Sequence, residues 1–415
     1  MERQALRRRL LDGYAAALAA VDGRAAVRRA LGAEPVPRPG LLVAAGKAAP
    51  AMARGALDAL EGAAPPGLVV TRHGYADPAL GGTGLEVLEA GHPLPDEASL
   101  HAGRHLLELL EAAPRGPVLV LLSGGASALL EAVPPGVAAA DLRRLNEWLL
   151  ASGLDIVAMN RLRKAVSLLK GGRLARYLGG RSVRQLLISD VPGDDPAVIG
   201  SGPLVPDPAA GAPWPAGVPA WVADLAAPVP APPPAADPCF RGVETRIVAR
   251  NRDALEAAAV RARSQGWVVH GHEEPLSGEA AETGRRLARA VMEGPPGLHL
   301  WGGETTVVLP AQPGRGGRCQ TLALAAAQEL AGRDDILLLA AGTDGSDGPG
   351  QEAGALVDGG TVARGEREGF SAVDRLHGAD AGTFLEASGD LIQTGPTGTN
   401  VMDVVLAGKL EGGAE

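Results

Sequence analysis

The chain has 415 residues, 46% of them hydrophobic and 21% charged, with a formal net charge of −9, 3% aromatic residues and two cysteines. This length is too great for one ordinary core and predicts two domains, each large enough to fold without staples. The negative balance and scarce aromatics exclude a general nucleic-acid surface, and two cysteines exclude both a disulfide framework and a thiolate metal cage, so the expectation is a cytoplasmic enzyme acting on small molecules.

At the N-terminus Arg7-Arg8-Arg9 before Leu10-Leu11 looks superficially like a secretion signal, but Asp12 and Asp22 interrupt it. Leu6, Leu10, Tyr14, Leu18 and Val21 recur at helical spacing and predict an amphipathic helix packed on a domain. No later run reaches transmembrane length without glycine or charge, so no membrane partner is expected. Strand-like runs at 41–45, 68–71, 118–122 and 185–189 then alternate with helical stretches at 48–60, 98–112, 138–151 and 155–169, the pattern of a parallel α/β sheet.

Three turns of this first half carry chemistry, because open α/β sheets bind ligands beyond the carboxyl ends of their strands. Only four of the 39 basic residues are lysine, at 47, 164, 170 and 409, and Lys47 and Lys170 sit beside glycine. Where arginine is so favoured, a lysine in a tight turn points to a place for a compact ammonium, with phosphate as the natural ligand. Ser123, Gly124, Gly125 and Ser127 follow the strand at 118–122, where glycine lets backbone N–H groups converge on an anion beside two hydroxyls. Asp190 ends the strand at 185–189 and is placed to orient a hydroxyl or hold Mg²⁺. The bland alternative at each position is a structural turn.

Residues 203–238 hold twelve of the 34 prolines, few charges and no periodicity, and read as a linker or surface excursion. It divides an N-terminal domain, 1–237, from a C-terminal domain, 238–415. Alternation resumes with strands expected at 246–249, 267–270, 298–301, 306–309 and 336–341 and helices at 252–265, 279–293 and 320–331, a second α/β domain. Here Glu304 follows a strand, Arg315 and Arg318 open a helix, and Asp344 and Asp347 lie three apart on a glycine loop that suits a hard cation; Ala355 stands where a calcium hand needs its bidentate Glu, so Mg²⁺ bridged to nucleotide phosphates is the simpler reading. His101/His105 and His270/His272 are close pairs, but nothing completes a metal set around them. Gly40 to Lys47 has the wrong spacing for a Walker loop, and no G-x-G-x-x-G follows a strand, so a dinucleotide site has no support.

Gly46-Lys47-Ala48, Gly91-His92-Pro93-Leu94-Pro95-Asp96, Leu122-Ser123-Gly124-Gly125, Arg163-Lys164 with Lys170-Gly171-Gly172, Ser189-Asp190-Val191-Pro192-Gly193-Asp194, Gly302-Gly303-Glu304-Thr305 and Gly342-Thr343-Asp344-Gly345 resemble the glycerate 2-kinase family across nearly the whole chain. Ala126 and Cys319 depart from it, standing where a third glycine and an asparagine are usual. The resemblance implies two domains: a doubly wound, mostly parallel Rossmann-like sheet, and a second α/β domain with a mixed sheet that contains the MOFRL region, with the active site in the cleft between them. It implies phosphorylation of D-glycerate at the 2-hydroxyl by ATP with Mg²⁺ or another divalent cation, in a monomer or homodimer. Lys47 and Arg318 are then expected to neutralise the transferring phosphate, and Asp190 to orient the hydroxyl. Ser123, Gly124, Gly125, Ser127 and Lys170 are expected to bind substrate or phosphate, and Glu304, Asp344 and Asp347 to stand on the metal side. The alternatives are a nicotinamide-dependent hydroxypyruvate reductase and a non-catalytic sugar-phosphate binding module.

Overall fold

The computed structural model describes residues 2–60, 64–113, 115–154 and 156–411. Two compact units form, one from Gly23–Val248 and one from Met1–Asp22 with Ala249–Glu415. This differs from a single cut after residue 237. The predicted N-terminal helix, Glu2–Ala20, buries Leu6, Leu10, Tyr14 and Ala17, and the Tyr14 hydroxyl donates to the Gly342 carbonyl at 2.7 Å, which ties the first segment to the C-terminal unit.

The Gly23–Val248 unit is built on β1 (Leu41–Ala45), β2 (Gly67–Arg72), β3 (Leu85–Ala90), β4 (Val118–Leu122), β5 (Val183–Ile188) and β6 (Val243–Ala249) in the order β3-β2-β1-β4-β5-β6. Strands β1 to β5 pair in parallel. β1 and β4 are apolar at every position because helices cover both faces of a parallel sheet, so neither strand shows alternation. The chain order reverses between β1 and β4, which places a crevice at their carboxyl ends.

The Pro-rich segment is a packed excursion and not a free linker. A helix at Ala220–Ala226 buries Val222, Trp221 lies edge-on to Trp148 at 6.4 Å, and Arg173 Nε donates to the Pro230 carbonyl at 2.7 Å. The helix expected from 155 to 169 spans Ile156–Ala165; residue 155 lies outside the described residues.

The other unit carries a mixed sheet of β7 (Val269–Gly271), β8 (Gly297–Gly303), β9 (Ile336–Gly342), β10 (Gly354–Asp358), β11 (Leu391–Ile392) and β12 (Asp403–Lys409), ordered β11-β10-β9-β12-β8-β7. β12 runs antiparallel to both β8 and β9, and β7 and β8 are parallel. The carboxyl ends of β8 and β9 therefore meet the start of β12 at one end of the central strands. No strand forms at 306–309: Thr306 makes a single bridge to Glu279, while Val308 and Leu309 are 81% and 63% exposed. Apolar character without a partner edge or a buried face does not make a strand.

Candidate active site

At the switch point β1 and β4 are stitched together through their following turns. The Lys47 N–H donates to the Gly124 carbonyl at 2.9 Å, the Ser123 N–H to the Ala45 carbonyl at 3.1 Å, and the Ala48 N–H to Ser123 Oγ at 3.0 Å. Gly46 has φ +127°, and a Cβ there would stand 2.2 Å from Ser123 Oγ, so only glycine lets the strands end this close. Ser123 is fully buried, and its hydroxyl oxygen serves the first turn of the following helix, Ala49–Ala59. Its place in the sequence-derived anion set is thus filled by a structural clamp. Gly125, at φ +85°, is roofed by side chains: a Cβ would come within 2.9 Å of His92 Cδ2 and 3.5 Å of Lys47 Cγ. The lysine stem therefore passes over this turn.

Gly125 also borders a cavity of about 840 Å³ contained within the Gly23–Val248 unit. Ser127, Lys170, Asp190, His92 and Ser201 share its wall, together with apolar side chains of Leu142, Leu145 and Val166. Ser127 Oγ and Ser201 Oγ are hydrogen-bonded at 2.8 Å. Asp190 lies beyond the end of β5, as expected of a residue delivered by a parallel strand. Lys170 is 5% exposed and forms an ion pair with Glu131, itself 1% exposed; Glu131 also accepts from the Ser167 hydroxyl at 2.5 Å and the Ala132 N–H at 3.0 Å. Its charge is already balanced, which a bare phosphate anchor would not be. Lys164 donates to Asp207 at 3.2 Å and the Ala197 carbonyl at 3.0 Å.

The remaining residues of the sequence-derived site lie in the other unit. Arg318 grips Asp403 with two hydrogen bonds, Nε to Oδ2 at 2.6 Å and Nη2 to Oδ1 at 2.8 Å, and contacts Glu304 Oε1 through Nη1 at 2.9 Å. Burial alone would weaken its protonated form, but Asp403 outweighs burial and holds the guanidinium charged. Asp347 is buried and accepts from the N–H groups of Cys319 at 3.0 Å and Gln320 at 2.8 Å, so it satisfies the open end of the helix Arg318–Glu329. Gly317 is needed there because a Cβ would stand 2.3 Å from Asp347 Oδ1. Asp344 Oδ1 accepts from the Ser346 N–H at 2.9 Å and hydroxyl at 3.1 Å.

Among the described residues no group of three or more His, Cys, Asp or Glu side chains is arranged to hold a metal ion. Both Asp347 oxygens are used by the helix and Glu304 by Arg318, so Glu304, Asp344 and Asp347 do not fit a protein-built divalent-cation cage. Sequence reasoning missed Glu131 and Asp403. The available signal is a single acid inside an apolar run, Ala128-Leu129-Leu130-Glu131-Ala132 and Val401-Met402-Asp403-Val404, where burial demands a cationic partner.

Asp347 gives the first prediction. Burial, then the nearby Asp403 charge, push its pKa up to about 6 against the helix N–H bonds that favour the anion. A folded pKa above the unfolded one means proton uptake on folding, so its contribution favours the fold below about pH 4 and is lost as pH rises toward 6. Thermal unfolding from pH 4 to 7 should show a downward trend that flattens in Asp347→Asn. An identical slope in both proteins removes Asp347 as the source.

Together the parallel sheet with reversed strand order, the glycine turns at its switch point and the adjoining cavity define a doubly wound α/β protein with a small-ligand site at its strand ends. Residues 9–215 match the model of a domain of unknown function, DUF4147, and residues 297–403 that of the MOFRL family. The chain is 36% identical to the D-glycerate 2-kinase of Thermotoga maritima, covering 88% of this chain and 89% of that protein, and 39% identical to an Agrobacterium vitis protein named for hydroxypyruvate reductase, covering 97% and 93%. The crystal structure of Thermotoga maritima glycerate kinase superposes with a TM-score of 0.84 at 33% identity, covering 98% of this chain and 100% of that one. The chain belongs to the glycerate 2-kinase family.

Proposed function

We propose that the protein transfers the terminal phosphoryl group of ATP to the 2-hydroxyl of D-glycerate. The observation that carries this reading is the Lys47 turn and the Ser123–Gly125 turn locked side by side at the switch point, next to a cavity that holds Asp190. Phosphoryl transfer asks for positioning and cations more than covalent chemistry, and these parts supply both. Lys47 is assigned to the transferring phosphate and Asp190 to the acceptor hydroxyl. In the other unit, Arg318 is a cation held by exposed Glu304, the partner a ligand can displace, and by buried Asp403, the permanent one. A divalent cation enters only as the nucleotide's counter-ion.

The strand order also suits a nicotinamide dinucleotide, and two Agrobacterium vitis relatives carry a reductase name, but the first βα turn reads Gly46-Lys47-Ala48-Ala49 without the glycine spacing that brings a pyrophosphate onto the helix. With both cysteines as free thiols, which suits a reducing compartment, we place the enzyme in the cytoplasm.

Purified protein with D-glycerate and MgATP should release ADP, and coupling to enolase and pyruvate kinase without a mutase should give pyruvate. NADH consumption with hydroxypyruvate and no ADP release would reverse the reading. Asp190→Asn keeps shape and loses charge, and should lower kcat by about 10²-fold. Near-normal turnover would take the acceptor hydroxyl away from Asp190.

A further inference from the structure

Arg163 projects from the helix Ile156–Ala165 into the wall of the 840 Å³ cavity and is engaged there in a manner unlike the two lysines around it; Arg161, also on the wall, is spent on the Pro213 carbonyl at 2.7 Å. Lys170 is paired with Glu131 and Lys164 with Asp207. Arg163 has, among the described residues, two neutral partners: Nε donates to Asn146 Oδ1 at 2.9 Å and Nη1 to Asn160 Oδ1 at 3.2 Å. Asn146 is buried and fixed in turn, its amide donating to the Leu142 carbonyl at 2.9 Å. Burial disfavours the charged guanidinium, and no neighbouring carboxylate offsets this.

A guanidinium has five N–H donors, and the two amides use two of them. The amides fix the plane of the fork without neutralising it. A partly desolvated cation held at a set angle in a cavity wall, with donors to spare, lacks one thing: an oxyanion that accepts in the same plane. The cavity also contains Asp190, which bears a negative charge and cannot itself host an anion.

Resting on the proposed kinase reading, we infer that Arg163 is the receptor for the carboxylate of the hydroxy-acid substrate, with Asn146 and Asn160 as the positioning residues that aim its fork. The substrate class is thereby a short 2-hydroxy acid, and the carboxylate is the feature selected. The Gly124–Gly125 backbone is left to the phosphate.

The test is a pair of KM values and a binding comparison on the full chain. Arg163→Gln should raise KM for D-glycerate by about 10- to 100-fold and leave KM for ATP within about twofold, the loss expected for a charged hydrogen-bonded pair. Arg163→Lys, which keeps charge but not the planar fork, should fall between wild type and Arg163→Gln, and Asn146→Ala should raise KM for D-glycerate with kcat little changed. Calorimetric titration with D-glycerate and with glycerol, which lacks the carboxylate, should show wild type preferring the acid and Arg163→Gln losing that preference. A rise in KM for ATP instead would assign Arg163 to nucleotide phosphate and overturn the inference, as would unchanged KM values in folded Arg163→Gln. If the wild-type protein releases no ADP, the kinase reading fails by itself, and the titration still decides whether Arg163 selects a carboxylate.

Discussion

Lys170→Met should destabilise the Gly23–Val248 unit by about 3–5 kcal/mol, the usual cost of stranding one partner of a buried ion pair. Lys170 and Glu131 are both almost fully buried, and Glu131 keeps its bonds from Ser167 and Ala132 after the ammonium is removed, so a carboxylate without a counter-charge remains in the interior. Adding Glu131→Gln to Lys170→Met removes that charge and should restore much of the stability, which a double-mutant cycle by urea unfolding measures. The same cycle separates two roles for Lys170. A phosphate anchor predicts a stable Lys170→Met protein with weakened ATP binding. An internal ion pair predicts an unstable one, rescued by the second change. Full stability in the single variant would return Lys170 to the ligand.

The difference between these roles shows what residue spacing carries. That Lys47, Ser123, Gly124 and Gly125 stand at strand ends is legible, because a parallel strand ending in glycine is a local pattern and the strand end is where α/β sheets bind. Asp190 is legible for the same reason. Pairing is not local: Lys170 and Glu131 are 39 positions apart, Arg318 and Asp403 are 85, and only the fold brings each pair together. Asp347 reads as a metal ligand from its glycine loop, yet its two oxygens close a helix that begins 29 positions earlier. The N-terminal helix is legible from its apolar spacing, but its packing on the far unit is not, because amphipathicity names a buried face and not its partner. Val308 and Leu309 mislead in the opposite direction, apolar residues left on the surface.

Lys47→Arg should lower kcat by about 10²–10³-fold in a protein that remains folded, the scale of losing one preorganised electrostatic contact to a transition state. Charge is conserved in this change, so the loss isolates shape. The turn has no slack: Gly46 stands against Ser123, Gly125 lies beneath the lysine stem and the His92 ring, and the Lys47 N–H is tied to Gly124. A guanidinium is broader and directs its donors in a plane, whereas an ammonium acts as a point charge from the tip of a thin stem. Lys409→Arg is a test of stability alone, because Lys409 Nζ donates to the Met292 and Gly294 carbonyls at 2.7 Å and closes the end of the helix Ala280–Glu293. Its variant should report on stability and leave kcat unchanged. The informative comparison is between Lys47→Arg and Lys47→Met: if point-charge geometry matters, both lose turnover to a similar degree, and if charge alone matters, arginine retains most of it. Retention by arginine would make the scarcity of lysine in this chain a matter of composition.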